Sequence, residues 1–340
     1  MRLLVCGGAG FIGSAFVRRM LDKHADWEIV CLDKITYAGN LDNLLPVADN
    51  PRYSFVRADI GDHTAVEAAI DAAGGVDAIV NFAAETHVDR SIAEPEGFLH
   101  TDILGTHTLL EIVRERGIGK MVQVSTDEVY GSIGSGSFCE TDPLHPSSPY
   151  SASKAGGDLQ VLAYFTTYGT PALITRGSNT YGPYQYPEKL IPLFVTNALE
   201  GGKLPLYGDG LNVRDWLHVD DHADGIAAAL LHGEPGEVYN IGGGNERTNR
   251  EITEIILDEL GLEWADVVEP VTDRPGHDRR YSISCVKAGG QLEWRPQVDF
   301  AEGLRQTIRW YRDNDWWWSK IKHHTAEFAD WRKRWYDERS

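Results

Sequence analysis

With 340 residues, 42% of them hydrophobic and 24% charged, the chain has the make-up of a soluble globular protein, and its length suits one large domain or two fused lobes. Its 51 acidic side chains outnumber 32 basic ones for a formal charge of −19, which argues against nucleic-acid binding and against attraction to anionic membranes. A few local Arg and Lys side chains could still hold a small anionic ligand.

The apolar start Leu3–Cys6 is short and runs straight into glycines, unlike a secretory leader. No stretch is long and apolar enough to span a bilayer, so a cytoplasmic setting is expected. The first half then alternates. Strands are predicted at Arg2–Cys6, Glu28–Asp33, Tyr53–Ala58, Ala78–Phe82, Lys120–Ser125 and Ala172–Arg176, all nearly continuous apolar runs, the mark of strands buried on both faces. Helices are predicted between them, at Ile12–Lys23, Thr64–Ala73, Glu94–Arg116 and Ser151–Tyr168. This order predicts an α/β fold: a Rossmann-type doubly wound parallel sheet over residues 1–177.

After Gly177 the pattern becomes irregular, punctuated by Pro183, Pro187, Pro192 and Pro205. Strand pieces are predicted at Lys203–Tyr207, Val238–Ile241 and Asp278–Ser284, and helices at Asp221–Leu231, Asn249–Leu260 and Phe300–Tyr311. Residues 178–311 are therefore expected to form a smaller C-terminal α/β substrate-binding lobe, some segments of which return to the sheet. The tail 312–340 carries Trp316, Trp317, Trp318, Trp331 and Trp335 among charges and predicts an amphipathic helix packed on the body or on a partner. Cys6, Cys31, Cys139 and Cys285 form no Cys-x-x-Cys pair and are expected as buried thiols. His323 and His324 are expected on a solvated face, and no metal site is expected.

Three groups of residues carry chemistry. Gly7, Gly10 and Gly13 follow the first strand and open a helix. Gly7 permits a tight turn, Gly10 lets backbone approach a pyrophosphate, and Gly13 allows helix and strand to pack closely. Asp33 ends the second strand, placed to accept both ribose hydroxyls of NAD and to repel the 2′-phosphate of NADP. Asp59 ends the third strand, within possible reach of the adenine. Further on, Tyr150 and Lys154 stand four apart on one helix face. An ammonium beside a phenol favours the phenolate, and such a tyrosine can take an alcohol proton as hydride leaves the same carbon. Lastly, Asp127 and Glu128 are adjacent carboxyl groups directly after a strand. Removing water across a carbon–carbon bond needs one acid and one base, and two carboxyls in different environments can divide those roles.

The glycine loop, Thr126 and Tyr150-x-x-x-Lys154 resemble the extended short-chain dehydrogenases/reductases, and Thr126-Asp127-Glu128-Val129-Tyr130-Gly131 resembles their dTDP-glucose 4,6-dehydratase branch. Simple epimerases tend to have small residues where the two acids stand. Asp33–Leu41, Ala83–Ser91, Arg176–Pro192, Gly208–His222 and Asp273–Asp278 resemble further segments of that branch, over nearly all of residues 1–311. Thr180 stands where the family usually has Asn.

The resemblance implies catalysis by Thr126, Asp127, Glu128, Tyr150 and Lys154. It implies NAD held by Gly7, Gly10, Phe11, Ile12, Gly13, Asp33, Lys34, Thr36, Asp59, Ile60, Phe82, Ala83, Ala84, Thr101, Ser125, Tyr150, Lys154 and Thr180. The nucleotide sugar dTDP-glucose would be held by Thr86, Thr126, Asn179, Lys189, Leu190, Pro205, Tyr207, Arg214, Asn249, Arg274 and His277. It also implies a homodimer through a four-helix contact made by the helices of 94–116 and 151–168. A UDP-sugar epimerase or UDP-glucuronate decarboxylase of the same superfamily, or a non-catalytic NAD-binding scaffold, are the alternatives.

Overall fold

The computed structural model describes residues 1–273 and 277–333. The strands are β1 (Arg2–Cys6), β2 (Glu28–Asp33), β3 (Tyr53–Arg57), β4 (Ala78–Asn81), β5 (Lys120–Thr126), β6 (Ala172–Gly177), β7 (Asn179–Tyr181), β8 (Leu204–Tyr207), β9 (Val213–His218), β10 (Val238–Ile241), β11 (Glu246–Thr248) and β12 (Val268–Val271). Seven of them form one sheet in the order β10-β6-β5-β4-β1-β2-β3. Every pair in it is parallel, in registers such as Leu3 opposite Ala78 and Gln123 opposite Ile174. The chain runs outward from β1 to β3, then returns to start β4 on the other side of β1. Such a reversal leaves a crevice at the C-terminal strand ends.

Burial explains the continuous apolar runs. Leu3 and Val5 face one core with Phe16, Met20 and Ile226, while Leu4 and Cys6 face the opposite core with Leu109, Ile112 and Val161. Each fully buried Leu or Val contributes about 1.5–3 kcal/mol. A third core, with Phe194, Ile252, Leu304 and Tyr311, lies under the second half of the chain. There β11, β9 and β7 make a three-stranded sheet, and β8 pairs with β12.

The helix Pro149–Tyr168 shows how local chemistry sets the site. Ser148 caps it reciprocally with Ser151, Pro149 occupies its first turn, and Gly169 ends it in the left-handed region at φ 68°. A Cβ on Gly157 would lie 2.7 Å from the Asp102 carbonyl, so glycine lets this helix press against the π-helical stretch Leu99–Gly105.

Three expectations are corrected. The helix expected over 94–116 is broken: Glu94 caps the short helix Val88–Ala93, and a new helix starts at Glu96 beyond Pro95. Asp278–Ser284 forms no strand and makes only isolated bridges, Arg280 with Val213 and Ile283 with Phe138. Cys6 and Cys31 are buried, but Cys139 is exposed and Cys285 only partly buried. His323 and His324 are exposed, as expected of a solvated face, with His323 Nε2 paired to Glu200 at 2.6 Å. Among the described residues no helix is long and apolar enough to cross a membrane.

The tail packs on the body through the helices Asp315–His324 and Ala326–Arg332, with Trp317, Trp318 and Trp331 buried. Trp335 lies outside the described residues.

Candidate active site

One elongated cavity runs along the C-terminal ends of the strands, and every residue expected to hold the cofactor lines it. Between β1 and the helix Phe11–Lys23 the chain turns at Gly7, φ 72°. A Cβ there would lie 2.4 Å from the Ala83 nitrogen, and one on Gly13 would lie 2.3 Å from the Gly7 carbonyl. Gly10 differs: its nearest contact would be 3.4 Å away, so its outer face is open to a ligand. The helix start has no side-chain cap, which leaves its N–H groups for an anion.

Asp33 stands at the end of β2, 8% exposed. Its two oxygens accept the N–H groups of Ala9 at 3.0 Å and Ile35 at 2.8 Å, and each keeps acceptor capacity. Burial raises its pKa, and those two N–H groups oppose the rise. Lys34 Nζ lies 3.2 Å from Thr101 Oγ1 and 3.4 Å from Asp59, so its charge is partly neutralised. A glycine cradle, an uncapped helix start and a strand-end carboxylate together fit a dinucleotide.

The reacting groups meet farther along the cavity. β5 ends at Thr126, whose side chain accepts the Glu128 N–H at 3.2 Å and thereby caps the single 3₁₀ turn Asp127–Tyr130. Thr126 Oγ1 also donates to Asp127 Oδ1 at 3.3 Å. Asp127 is 3% exposed, and its Oδ2 has no hydrogen-bond partner. Burial, then the carboxylates of Glu128 and Asp215, push its pKa well above the usual range, which favours its protonated form.

Tyr150 and Lys154 line the same cavity from the helix Pro149–Tyr168. Lys154 Nζ donates to the Val124 carbonyl at 2.8 Å. The Tyr150 phenol is pushed well above its ordinary pKa by burial and then by the Glu128 and Asp102 carboxylates, with Thr126 opposing.

The expected sugar-nucleotide residues divide. Thr86, Asn179 and Lys189 line the cavity. Lys189 Nζ holds the Thr86 carbonyl at 2.9 Å, and the Asn179 Oδ1 is buried without a partner. Leu190, Pro205, Tyr207, Arg214, Asn249 and His277 do not line it. Leu190 packs on the third core. Tyr207 and His277 form a second cluster, ring centroids 6.0 Å apart, beside Pro205 on β8. Arg214 lies on β9, its guanidinium 4.3 Å above the Tyr281 ring and hydrogen-bonded to the Asp278 carbonyl at 2.9 Å. Its charge acts on Asp127, which connects β9 to the acid pair. Asn249 opens the helix Asn249–Leu260, its N–H bonded to the Asn212 carbonyl at 3.0 Å. Arg274 lies outside the described residues.

Known proteins resolve which chemistry this arrangement serves. The profile of the GDP-mannose 4,6 dehydratase family matches residues 4–307. A dTDP-glucose 4,6-dehydratase of Streptomyces antibioticus is 54% identical over 331 residues, covering 96% of this chain and 97% of that protein. Another, from Escherichia coli K12, is 44% identical and covers all of both chains. The crystal structure of the Streptomyces venezuelae dehydratase DesIV, solved with NAD bound, superposes with a TM-score of 0.91 at 57% identity, covering 95% of this chain and 100% of that one. The chain belongs to the dTDP-glucose 4,6-dehydratase family.

In this dehydratase the cavity also contains residues that the sequence reading missed: Asn43, Glu188, His222 and Trp317. Glu188 is buried and accepts from Tyr37 and from Arg90, both at 3.3 Å, while Arg90 stacks 3.7 Å over the Tyr37 ring. His222 is buried, with Nδ1 2.8 Å from Thr180 Oγ1, and burial lowers its pKa to about 4. A Cβ on Gly177 would lie 2.4 Å from its ring. A glycine ending a buried strand was the available signal for His222. Nothing in the local sequence marks the other three.

Proposed function

We propose that this dehydratase converts dTDP-glucose into dTDP-4-keto-6-deoxyglucose and water, with NAD as a tightly held cofactor regenerated at each turnover. The observation that carries the reading is a buried Asp127 next to Glu128, its pKa pushed up by that burial, in the cavity that Tyr150 and the glycine loop share.

When bound, NAD accepts a hydride from C4, returns it to C6, and brings a cationic ring into the cavity. Tyr150 takes the C4 hydroxyl proton, and Thr126 hydrogen-bonds that oxygen and the ketone it becomes. The ketone acidifies the C5 proton, which Glu128 removes. Asp127 gives its proton to the C6 hydroxyl, which departs as water; once hydride reaches C6, the proton held by Glu128 returns to C5, and the proton on Tyr150 replaces the one Asp127 gave. Asp127, biased toward its protonated form by burial, suits the acid role, and Tyr150, whose pKa burial raises, gives up its proton more readily beside the cofactor's cationic ring. A simple epimerase needs no acid like Asp127, and a decarboxylation releases carbon dioxide rather than water. Arg214, Asn249 and His277 would hold the diphosphate, Arg214 with a planar fork suited to phosphate oxygens.

The working form is a homodimer. What supports a dimer is that Leu99, Leu104 and Leu159 are 51%, 51% and 58% exposed on two helical segments that pack side by side, apolar side chains that a partner's matching helices could cover. The site of action is the cytoplasm, in keeping with four unpaired cysteines. Incubation with dTDP-glucose and, separately, UDP-glucose, followed by product mass analysis, tests the reaction and the base preference. Loss of water from dTDP-glucose is expected. An unchanged mass refutes it.

A further inference from the structure

The tryptophan tail has no role in the chemistry above, and the family profile stops at residue 307, before the tail begins. Yet Trp317 is 1% exposed and lines the cofactor cavity. Its Nε1–H donates to Asn43 Oδ1 at 2.9 Å. The same amide donates from Nδ2 to the Ala9 carbonyl, also at 2.9 Å. Ala9 lies inside the glycine loop, and its own N–H is held by Asp33 Oδ2 at 3.0 Å. A continuous relay thus runs from the tail through Asn43 to the loop peptide and on to the strand-end carboxylate.

Neighbouring contacts fix both ends. Tyr184 has Trp317 edge-on at 5.6 Å and Arg18 over its face at 4.4 Å. Lys320, one turn along the tail helix, reaches Asp42 at 2.9 Å. At the other end of the tail, Trp331 meets the His87 ring edge-on at 5.7 Å, next to Thr86.

We propose that the tail is a strap that sets how long NAD stays bound, with the Trp317–Asn43 hydrogen bond as its attachment to the glycine loop. The inference rests on the reading of this cavity as the NAD site. With the indole N–H in place, the Asn43 amide is fixed with its NH₂ group on Ala9. Without it, Oδ1 loses its donor, the amide can turn, and the Ala9 carbonyl loses one of its two donors, the other being the Asn40 N–H at 3.0 Å. A loop that must then be ordered by the dinucleotide binds it less well. Trp317 is a positioning residue in this scheme.

The test compares two tail tryptophans. Trp317→Phe removes the N–H aimed at the loop. Trp318→Phe removes an equally buried one that donates at 2.7 Å to the Tyr311 carbonyl in the preceding helix, without reaching the loop. NAD content of the purified proteins and the rate of NAD release after dilution are measured without substrate, beside thermal midpoints. Release about fivefold faster in Trp317→Phe is expected, the factor one neutral hydrogen bond supplies, with Trp318→Phe at the wild-type rate even if both melt lower. Equal release from all three proteins overturns the strap, as does equal acceleration in both variants. Should Trp317→Phe not fold, Asn43→Ala interrupts the same relay and is held to the same comparison. A wild-type protein that binds no NAD overturns the cofactor reading and the strap together, whereas unaccelerated release from NAD-loaded Trp317→Phe overturns the strap alone.

Discussion

Thr126 Oγ1 donates to one oxygen of Asp127 at 3.3 Å, and the other oxygen of that carboxyl is buried with no partner at all. A threonine that also caps the turn carrying both acids therefore orients the proton donor. Asp127→Asn keeps the shape and the contact with Thr126 but has no proton of carboxylic acidity to give. It is expected to slow water elimination about 10²–10⁴-fold while C4 oxidation persists, read as a bound keto-sugar that has not lost water. Full dehydration by this variant removes Asp127 from the acid role.

Tyr150→Phe is expected to abolish oxidation itself. A subtler change is Asp102→Asn. Asp102 is buried against Ser153, at 2.6 Å, and burial pushes its pKa up to about 6. Its carboxylate is one of the charges that raise the Tyr150 pKa. Removing that charge lowers the phenol pKa, so the limb of kcat/KM that rises with pH moves to lower pH. Stability shifts in a defined window as well. An acid with a raised folded pKa favours folding below its unfolded value and loses that contribution as pH rises through the folded one. Asp102→Asn should match wild type below about pH 4 and exceed it above about pH 6, by at most about 3 kcal/mol. Urea unfolding at both pH values and a pH–rate profile check the two claims.

Arg214→Ala should raise the KM for dTDP-glucose by at least about tenfold, the scale of one charge-assisted contact to phosphate. The Asp127 pKa should rise further, because the Arg214 charge lowers it in the wild type. An unchanged KM excludes Arg214 from the diphosphate site.

Leu159→Glu places a charge in the exposed apolar surface of Leu99, Leu104 and Leu159. The variant should elute as a monomer in size-exclusion chromatography and keep its fold by circular dichroism. A wild-type protein that is already monomeric, or a variant that stays dimeric, rules out that face.

Hydropathy made the main sheet legible because its strands, the edge strand β3 excepted, are largely buried on both faces, and runs such as Ile29–Leu32 contain no polar interruption. The same logic fails on β9. Arg214, Asp215 and His218 are buried there by pairing rather than by apolarity: Asp215 accepts the N–H groups of Gly243 and Asn245 at 2.9 and 2.6 Å. The helix Leu190–Leu199 escaped notice because Pro192 looked like punctuation, but proline is tolerated in a first turn, where its missing N–H costs nothing. In the site, motif spacing located the glycine loop, the acids and Tyr150 within one cavity. It could not locate Asn43, Glu188 or Trp317, whose presence depends on contacts between segments as much as 274 positions apart. Nor could spacing reveal that Lys154 faces the Val124 carbonyl.

β10 covers the β6 side of the sheet, with Val238 opposite Ile174, although sixty residues of the second half intervene between the two strands. During synthesis, therefore, a nascent chain released only as far as about residue 230 presents a bare, flat β6 edge, the kind that recruits strands from other molecules. Ribosome pausing or truncation just before β10 would leave a product prone to aggregation, even though the glycine loop, Asp33, Asp127, Glu128 and Tyr150 had already been made.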